Sequence, residues 1–416
     1  MLPGILLVMA SCMTTRRGFI GDTTAWEEHM TREGGPSDSL IREVSRVSDG
    51  LTLETRRLSR QFPAGYAGLF SAAAMNGLFA NLQQQMRCDS ILQAAVRTNQ
   101  DPRAVASLLT SAGRYHQIFN PNPRLRRMVN RGNMAFGIPR GILDKTHRYL
   151  LSPQVRKKGN PWLPDSLPLP ASRWALAGYA LCRDGDRINE AGYDIVNWVS
   201  ALFGNSVGLL NPDIHRPREQ QLLEKYLQPL DILVVKSPTH LTDKFIPGFF
   251  GHAAIYTGER EDLESAGWWW LPQVVRHHGT AIIGGSFAEA LRRGVRLSTL
   301  EEFTDGDYFL ILRVTGLDEK SKKEVVERTF RYLTQKYDFN FDVQSPDRLY
   351  CTELIFLAFD TIRWKSHHMW ERETISPDEL VLTALENQQI VPVVLIGPGV
   401  EEPFPGEEMI RSLLEK

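Results

Sequence analysis

Cys351 is the residue of this 416-residue chain best placed to act as a nucleophile. It stands between the polar stretch Ser345-Pro346-Asp347-Arg348 and the apolar run Leu354 to Phe359, which places it at the N-terminus of a buried helix. A helix start offers backbone N–H groups and the positive end of the helix dipole, and both favour a thiolate. The help is chemically useful, since a thiol with a pKa near 8.5 is only about 3% ionised at pH 7. The same N–H groups can hold the oxyanion that forms when a thiolate attacks a carbonyl. His252 lies in the alternating strand Gly251-His252-Ala253-Ala254-Ile255-Tyr256-Thr257-Gly258, where small neighbours leave room beside the imidazole. A cysteine at a helix start and a histidine on a strand together fit nucleophilic catalysis in which imidazole takes the thiol proton.

Two kinds of element must position this pair, and the chain changes character between them. From about residue 37 to 150 the pattern is helical. Ser37-Asp38-Ser39 is a cap ahead of Leu40, Ile41, Val44, Val47 and Leu51 at helical spacing. Ala67 to Leu82 reads as a packed helix, and Ile91 to Leu109 continues the helical character with Pro102 opening a new segment. Residues 152–170 carry five prolines and read as a linker or surface loop. An apolar helical segment follows over residues 195–203, and Pro217 to Leu227 reads as a short charged helix. From residue 230 the period shortens. Asp231 to Val235, His252 to Tyr256, Ala281 to Ile283, Tyr308 to Leu312 and Val391 to Ile396 read as strands, with helices over Glu319 to Gln335 and Thr352 to Ile362. The expected fold class is α+β, a small, mostly antiparallel sheet with packed helices behind a helical region. The expected divisions are 1–12, 13–150, 151–227, 228–398 and a tail at 399–416.

A family resemblance rests on several ordered blocks. Asp231-Ile232-Leu233, Leu241-Thr242-Asp243-Lys244-Phe245-Ile246-Pro247-Gly248 and the His252 strand resemble the start of a YaeF/YiiX-type domain. Glu289-Ala290-Leu291, Gly294-Val295-Arg296, Tyr337-Asp338-Phe339 and Tyr350-Cys351-Thr352-Glu353-Leu354 resemble its later blocks. These are circularly permuted members of the NlpC-type papain-like hydrolases, in which the histidine strand precedes the cysteine helix. Here His252 precedes Cys351 by 99 residues (351 − 252). The resemblance covers roughly residues 228–398 and implies a permuted papain-like fold with Cys351 as nucleophile and His252 as base. It also implies a third polar residue that orients the imidazole. Glu289 is the first choice, since a carboxylate would fix the tautomer and stabilise the imidazolium. Glu353, two residues into the helix, is read as serving the helix N-terminus. Tyr350, Tyr337 and Tyr256 are candidate substrate-binding residues around the same cleft.

Trp268-Trp269-Trp270 falls in an insertion after the histidine strand. Three adjacent tryptophans cannot share one buried face, so at least one is expected at the surface. The doublets His277-His278 and His367-His368 point apart on a strand and lack a completing ligand set, so no metal is expected. The four cysteines, Cys12, Cys88, Cys182 and Cys351, form no zinc spacing. Either Cys88 pairs with Cys182 or all three later thiols are reduced.

The N-terminal run Leu2 to Ala10, followed by Ser11 and Cys12, resembles the lipobox of a bacterial lipoprotein signal, although no basic residue precedes it. That resemblance implies lipidation at Cys12 and a place in the cell envelope, facing the periplasm. Some members of the permuted family are themselves lipoproteins. No apolar run reaches the length of a bilayer span. A net charge of −1 gives no reason to expect nucleic acid, and basic clusters such as Arg124 to Arg127 read as solvated surface.

The leading expectation is a cofactor-free cysteine amidase or peptidase acting on a cell-wall peptide amide, with no metal. The permuted relatives that move acyl chains, such as lecithin:retinol acyltransferase-like proteins, make a lipid acyl substrate the second reading. A non-catalytic scaffold with a degenerate site is the third.

Overall fold

The computed structural model describes residues 36–62, 69–98, 101–151, 182, 185–186, 216–236, 248–338, 347–369 and 372–415. The expected signal segment with Cys12, the proline-rich stretch 152–170 and the helical segment 195–203 lie outside them. The chain divides into two compact units, Met1–Phe70 with Ala74–Gly192 and Ser71–Ala73 with Tyr193–Lys416.

The first unit is helical: α1 (Asp38–Ser59), α2 (Ala72–Thr98), α3 (Pro102–Phe119), α4 (Pro123–Arg131) and α5 (Ile142–Leu151). Each start has a local cause. Ser37 accepts from the Leu40 amide, Asp101 from Arg103 and Asn122 from Leu125, and proline opens α3 and α4. Leu40, Val44 and Leu51 of α1 bury against Cys88, Leu92 and Ala95 of α2 and Leu108 of α3. Inside this packing Asn81 Nδ2 donates to the Leu51 carbonyl at 2.7 Å and Gln85 Nε2 to Ser48 Oγ at 2.8 Å, so both buried amide N–H donors have an acceptor. Arg126, expected at a solvated surface, is buried and paired with Asp186 at 2.5 Å. Burial there costs less than leaving the guanidinium unmatched, because the pair is bidentate. Cys88 and Cys182 are free thiols, which resolves the disulfide alternative in favour of reduced cysteines.

The second unit opens with α6 (Pro217–Tyr226) and builds a seven-stranded antiparallel sheet. Its strands are β1 (Ile232–Lys236), β2 (His252–Tyr256), β3 (Phe287–Leu291), β4 (Gly294–Ser298), β5 (Tyr308–Val314), β10 (Ile390–Gly397) and β11 (Val400–Pro403), in the order β11-β10-β5-β1-β2-β3-β4. β1 and β2 are central and buried on both faces, so they read as continuous apolar runs. Pro392, which has no N–H, sits where the β5–β10 register shifts. Leu223 of α6 packs with Leu233, Tyr256, Phe287, Phe309 and Ile396 in one core cluster. Short helices α7 (Arg260–Ser265), α8 (Pro272–Val275), α9 (His278–Ile282) and α10 (Leu300–Phe303) fill the connections. Then follow α11 (Glu319–Tyr332), α12 (Cys351–Ala358), α13 (Pro377–Glu386) and α14 (Glu407–Leu414), with β6 (Lys336–Tyr337), β7 (Arg348–Leu349), β8 (His367–Met369) and β9 (Arg372–Thr374) in two-stranded pairs.

One expected strand is absent. Residues 281–283 form the end of α9 and its exit, with Ile282 and Ile283 exposed. His278 stacks flat on Trp269 at 3.8 Å and its Nε2 meets the Trp269 carbonyl at 2.9 Å, which winds the segment into a turn. As expected, the tryptophans part company: Trp268 and Trp269 are buried, while Trp270 is 75% exposed.

Candidate active site

Cys351 is the first residue of α12, and Tyr350 is its N-cap. The Tyr350 side chain does not cap the helix; its hydroxyl accepts from the Ile375 amide at 3.0 Å. Thr352 Oγ1 donates to the Ile375 carbonyl at 2.6 Å. Both backbone groups of Ile375 therefore clamp the residues on either side of Cys351. At the other end of the helix, Arg328 Nη1 donates to the Ala358 carbonyl at 2.8 Å, a cation at the negative end of the dipole. The helix is fully buried along its length.

His252 opens β2. Cross-strand pairing sets Glu289 of β3 opposite Ala254, so His252 and Glu289 are diagonal neighbours on one face of the sheet. His252 Nε2 lies 2.7 Å from Glu289 Oε2, and both side chains are buried. The imidazole also hydrogen-bonds with the Cys351 thiol. With Nε2 given to the carboxylate, Nδ1 is the nitrogen left for sulfur. Burial opposes a charged imidazole here, but the hydrogen bonds and charges of Cys351 and Glu289 outweigh it and hold His252 well above its ordinary value. Glu289 is oriented in turn. Ser298 Oγ donates to its Oε1, and Arg296, opposite it on β4, approaches to 3.9 Å.

The candidate tyrosines separate. Tyr337 is buried in β6, where burial and the charge of Cys351 push its hydroxyl well above the ordinary value, so it lies close to the thiol. Tyr350 abuts the thiol but is fully enclosed and spends its hydroxyl on Ile375. Tyr256 belongs to the core, with its ring 5.1 Å from Phe287. It stands four residues along β2 from His252 and is packing, not a wall of the Cys351 site. Glu353 sits in the first turn of α12 and is fully buried. The second histidine doublet pairs with carboxylates, His367 with Glu379 at 2.9 Å and His368 with Glu373 at 3.4 Å.

Sequence reasoning missed the residues that join the two halves of the site. Asp378, in the first turn of α13, accepts from the Phe249 and Phe250 amides at 2.7 and 2.8 Å. Those amides lead directly into His252. Residues 375–378 therefore hold the cysteine helix through Ile375 and the histidine strand through Asp378. The capping-box pattern Ser376-Pro377-Asp378-Glu379 announces a helix start, and the structure shows that box. Nothing in the pattern announces that Asp378 reaches residues more than a hundred positions upstream.

A cysteine at a helix start, an imidazole hydrogen-bonded to it and a carboxylate behind the imidazole are an arrangement able to supply a nucleophile and its proton carrier. No curated protein and no solved structure matches the chain. Residues 226–396 match the family described as permuted papain-like amidase enzyme, YaeF/YiiX, C92 family. The C-terminal unit thus carries a permuted papain-like cysteine amidase/peptidase domain of the YaeF/YiiX, C92 family.

Proposed function

We propose that the protein is an envelope-anchored cysteine amidase that cleaves a peptide amide of the cell wall through an acyl-enzyme on Cys351. In the first half-reaction the Cys351 thiolate adds to the amide carbonyl carbon, and the oxyanion meets N–H groups at the start of α12. His252, already carrying the proton taken from sulfur, gives it to the nitrogen as the C–N bond breaks, and the amine leaves. In the second half-reaction His252 takes a proton from water, hydroxide adds to the thioester carbon, and the carboxylic acid departs as sulfur regains its charge. Glu289 keeps Nε2 protonated throughout, which commits Nδ1 to the proton transfers. The observation that carries the reading is the buried Cys351–His252–Glu289 series, with its 2.7 Å carboxylate–imidazole contact. The envelope part rests on the lipobox resemblance of residues 1–12 with Cys12 as the lipidated residue.

A lipid acyl substrate for the same thiolate is favoured by one observation. The connection between β2 and β3 exposes Trp270, Ile282 and Ile283, an apolar surface suited to an acyl chain or a membrane.

The test is alkylation of the thiols by iodoacetamide at about pH 6, well below a free thiol's pKa, read by intact mass and peptide mapping. Wild type is expected to label at Cys351, and His252→Ala to slow that labelling by at least about tenfold. Labelling that ignores His252 would remove the ion pair and the catalytic reading with it. Peptidoglycan fragments and acyl lipids are then offered separately, and the mass of the adduct trapped on Cys351 distinguishes a peptidyl from a fatty acyl thioester.

A further inference from the structure

The helical unit contains a cavity of about 170 Å³ bounded by one face each of α2, α3 and α5. At about 30 Å³ per water it holds about six waters, below the size of a drug pocket and right for a very small ligand. Met86, Leu108 and Ile142 make an apolar wall. Asp89 and Lys145 line the same space from α2 and α5.

Neither charge is answered by the fold. Among the described residues Asp89 has one hydrogen-bond donor, Gln85 Nε2 at 2.8 Å, and that amide is shared with Ser48. No cation contributes to the environment of its carboxylate, and loss of solvent pushes it up to about 7. Lys145 is exposed at the rim, and no ion pair of it occurs among the described residues. The two do not pair with each other. A carboxylate with too few donors inside a cavity, and a cation at its rim, are the complement of a molecule that carries both charges. A hard metal ion does not suit the cavity, because it takes six or more oxygens and the wall supplies one carboxylate. An ammonium suits it, since the hydroxyls of Ser90 and Ser111 also line the space and can accept alongside Asp89.

We propose that this cavity binds a compact zwitterion of amino-acid size, its ammonium on Asp89 and its carboxylate on Lys145. The apolar wall accepts a short side chain and excludes a large one. Binding depends on pH through Asp89, whose flanking groups do not titrate nearby. Cys88 on α2 is pushed up to about 12, and Tyr115 on α3 is raised well above its ordinary value, both chiefly by burial. Ser48 on α1 does not titrate, and neither Arg87 on α2 nor Lys145 on α5 acts on the Asp89 carboxylate.

The experiment is titration calorimetry of the full chain with L-alanine, isopropylamine and propionate, which share a carbon frame and differ in charge. Alanine is expected to bind, and each singly charged analogue to bind about tenfold or more weakly. Asp89→Asn preserves the side-chain shape and the Gln85 contact, so its melting temperature holds while alanine affinity falls at least about tenfold. Lys145→Gln is a surface change that weakens alanine and leaves isopropylamine unaffected. Lowering the pH from about 8 to about 5.5 weakens alanine about thirtyfold in wild type, as Asp89 takes up a proton, and leaves Asp89→Asn flat. The proposal is overturned if alanine gives no binding at millimolar concentration, if it binds both variants as it binds wild type, or if isopropylamine equals alanine. None of these readouts depends on Cys351, so failure here and failure of the amidase reading are separate results.

Discussion

Replacing Glu289 by glutamine keeps the shape of the side chain and removes the charge that His252 faces at 2.7 Å. The imidazolium loses one of the two partners that hold its proton, while Cys351 and burial remain. The basic limb of the kcat/KM profile reports loss of that proton and is expected to move to lower pH in Glu289→Gln. The rate at the optimum is expected to fall by about two to four orders of magnitude, since the amide also permits the wrong tautomer. Cys351 labelling at low pH survives in part, which separates orientation of the base from loss of the nucleophile. Stability follows the same group. His252 is raised in the folded state, so its contribution is fully present below about pH 6.5, the unfolded value, and is lost as pH rises through the folded one. The melting-temperature gap between wild type and Glu289→Gln is therefore expected to be wide near pH 6 and to close toward alkaline pH. These three residues were legible in the sequence because each sits in a block with a recognisable neighbourhood. Ser298 was not, since a serine ending a short strand looks like any turn residue until its hydroxyl is found on Glu289.

At the scale of elements, the site depends on residues 375–378 holding α12 and the entry to β2 together. Asp378→Ala strips the acceptor from two amides and is expected to cost about 1–3 kcal/mol of stability. Because the lost contact lies next to the histidine, kcat is expected to fall about tenfold to a hundredfold. Asp378→Asn, which keeps one acceptor oxygen, should recover part of both losses in melting and kinetic measurements. Among the elements, those with strong ends were readable. α1, α3 and α6 begin at a capping residue or a proline, and β1, β2, β5 and β10 are long apolar runs. β3 and β4 were hidden because they carry Glu289 and Arg296 inside the strand pattern, where charge normally marks a surface. The reverse error occurred at Ala281 to Ile283. A β-branched run suggested a strand, but aromatic packing of His278 on Trp269 decided the conformation.

At the scale of the whole molecule, the catalytic unit has its own sheet and its own core, with Leu223 of α6 already part of it. A fragment of residues 193–416 is expected to fold alone and to label at Cys351 as the full chain does, checked by circular dichroism and the same mass measurement. Loss of labelling in a folded fragment would assign the N-terminal half a direct part in the site. The change of hydrophobic period near residue 230 marks the first strand of the sheet, β1, while the second compact unit already begins at Tyr193. The sheet order was not legible in the sequence, because β10 joins β5 after a gap of some eighty residues and no local pattern records that pairing. The order also has a consequence for synthesis. On the ribosome the chain emerges histidine first and sulfur 99 residues later (351 − 252), about 5–20 seconds at ordinary elongation rates. The apolar edge of β5 waits longer still, until β10 has left the exit tunnel. For that interval the nascent chain offers an unpaired strand edge. A polypeptide interrupted before residue 390 is thus sticky as a sheet whether or not it already carries the cysteine, a matter for chaperones and proteases before it is one for substrates.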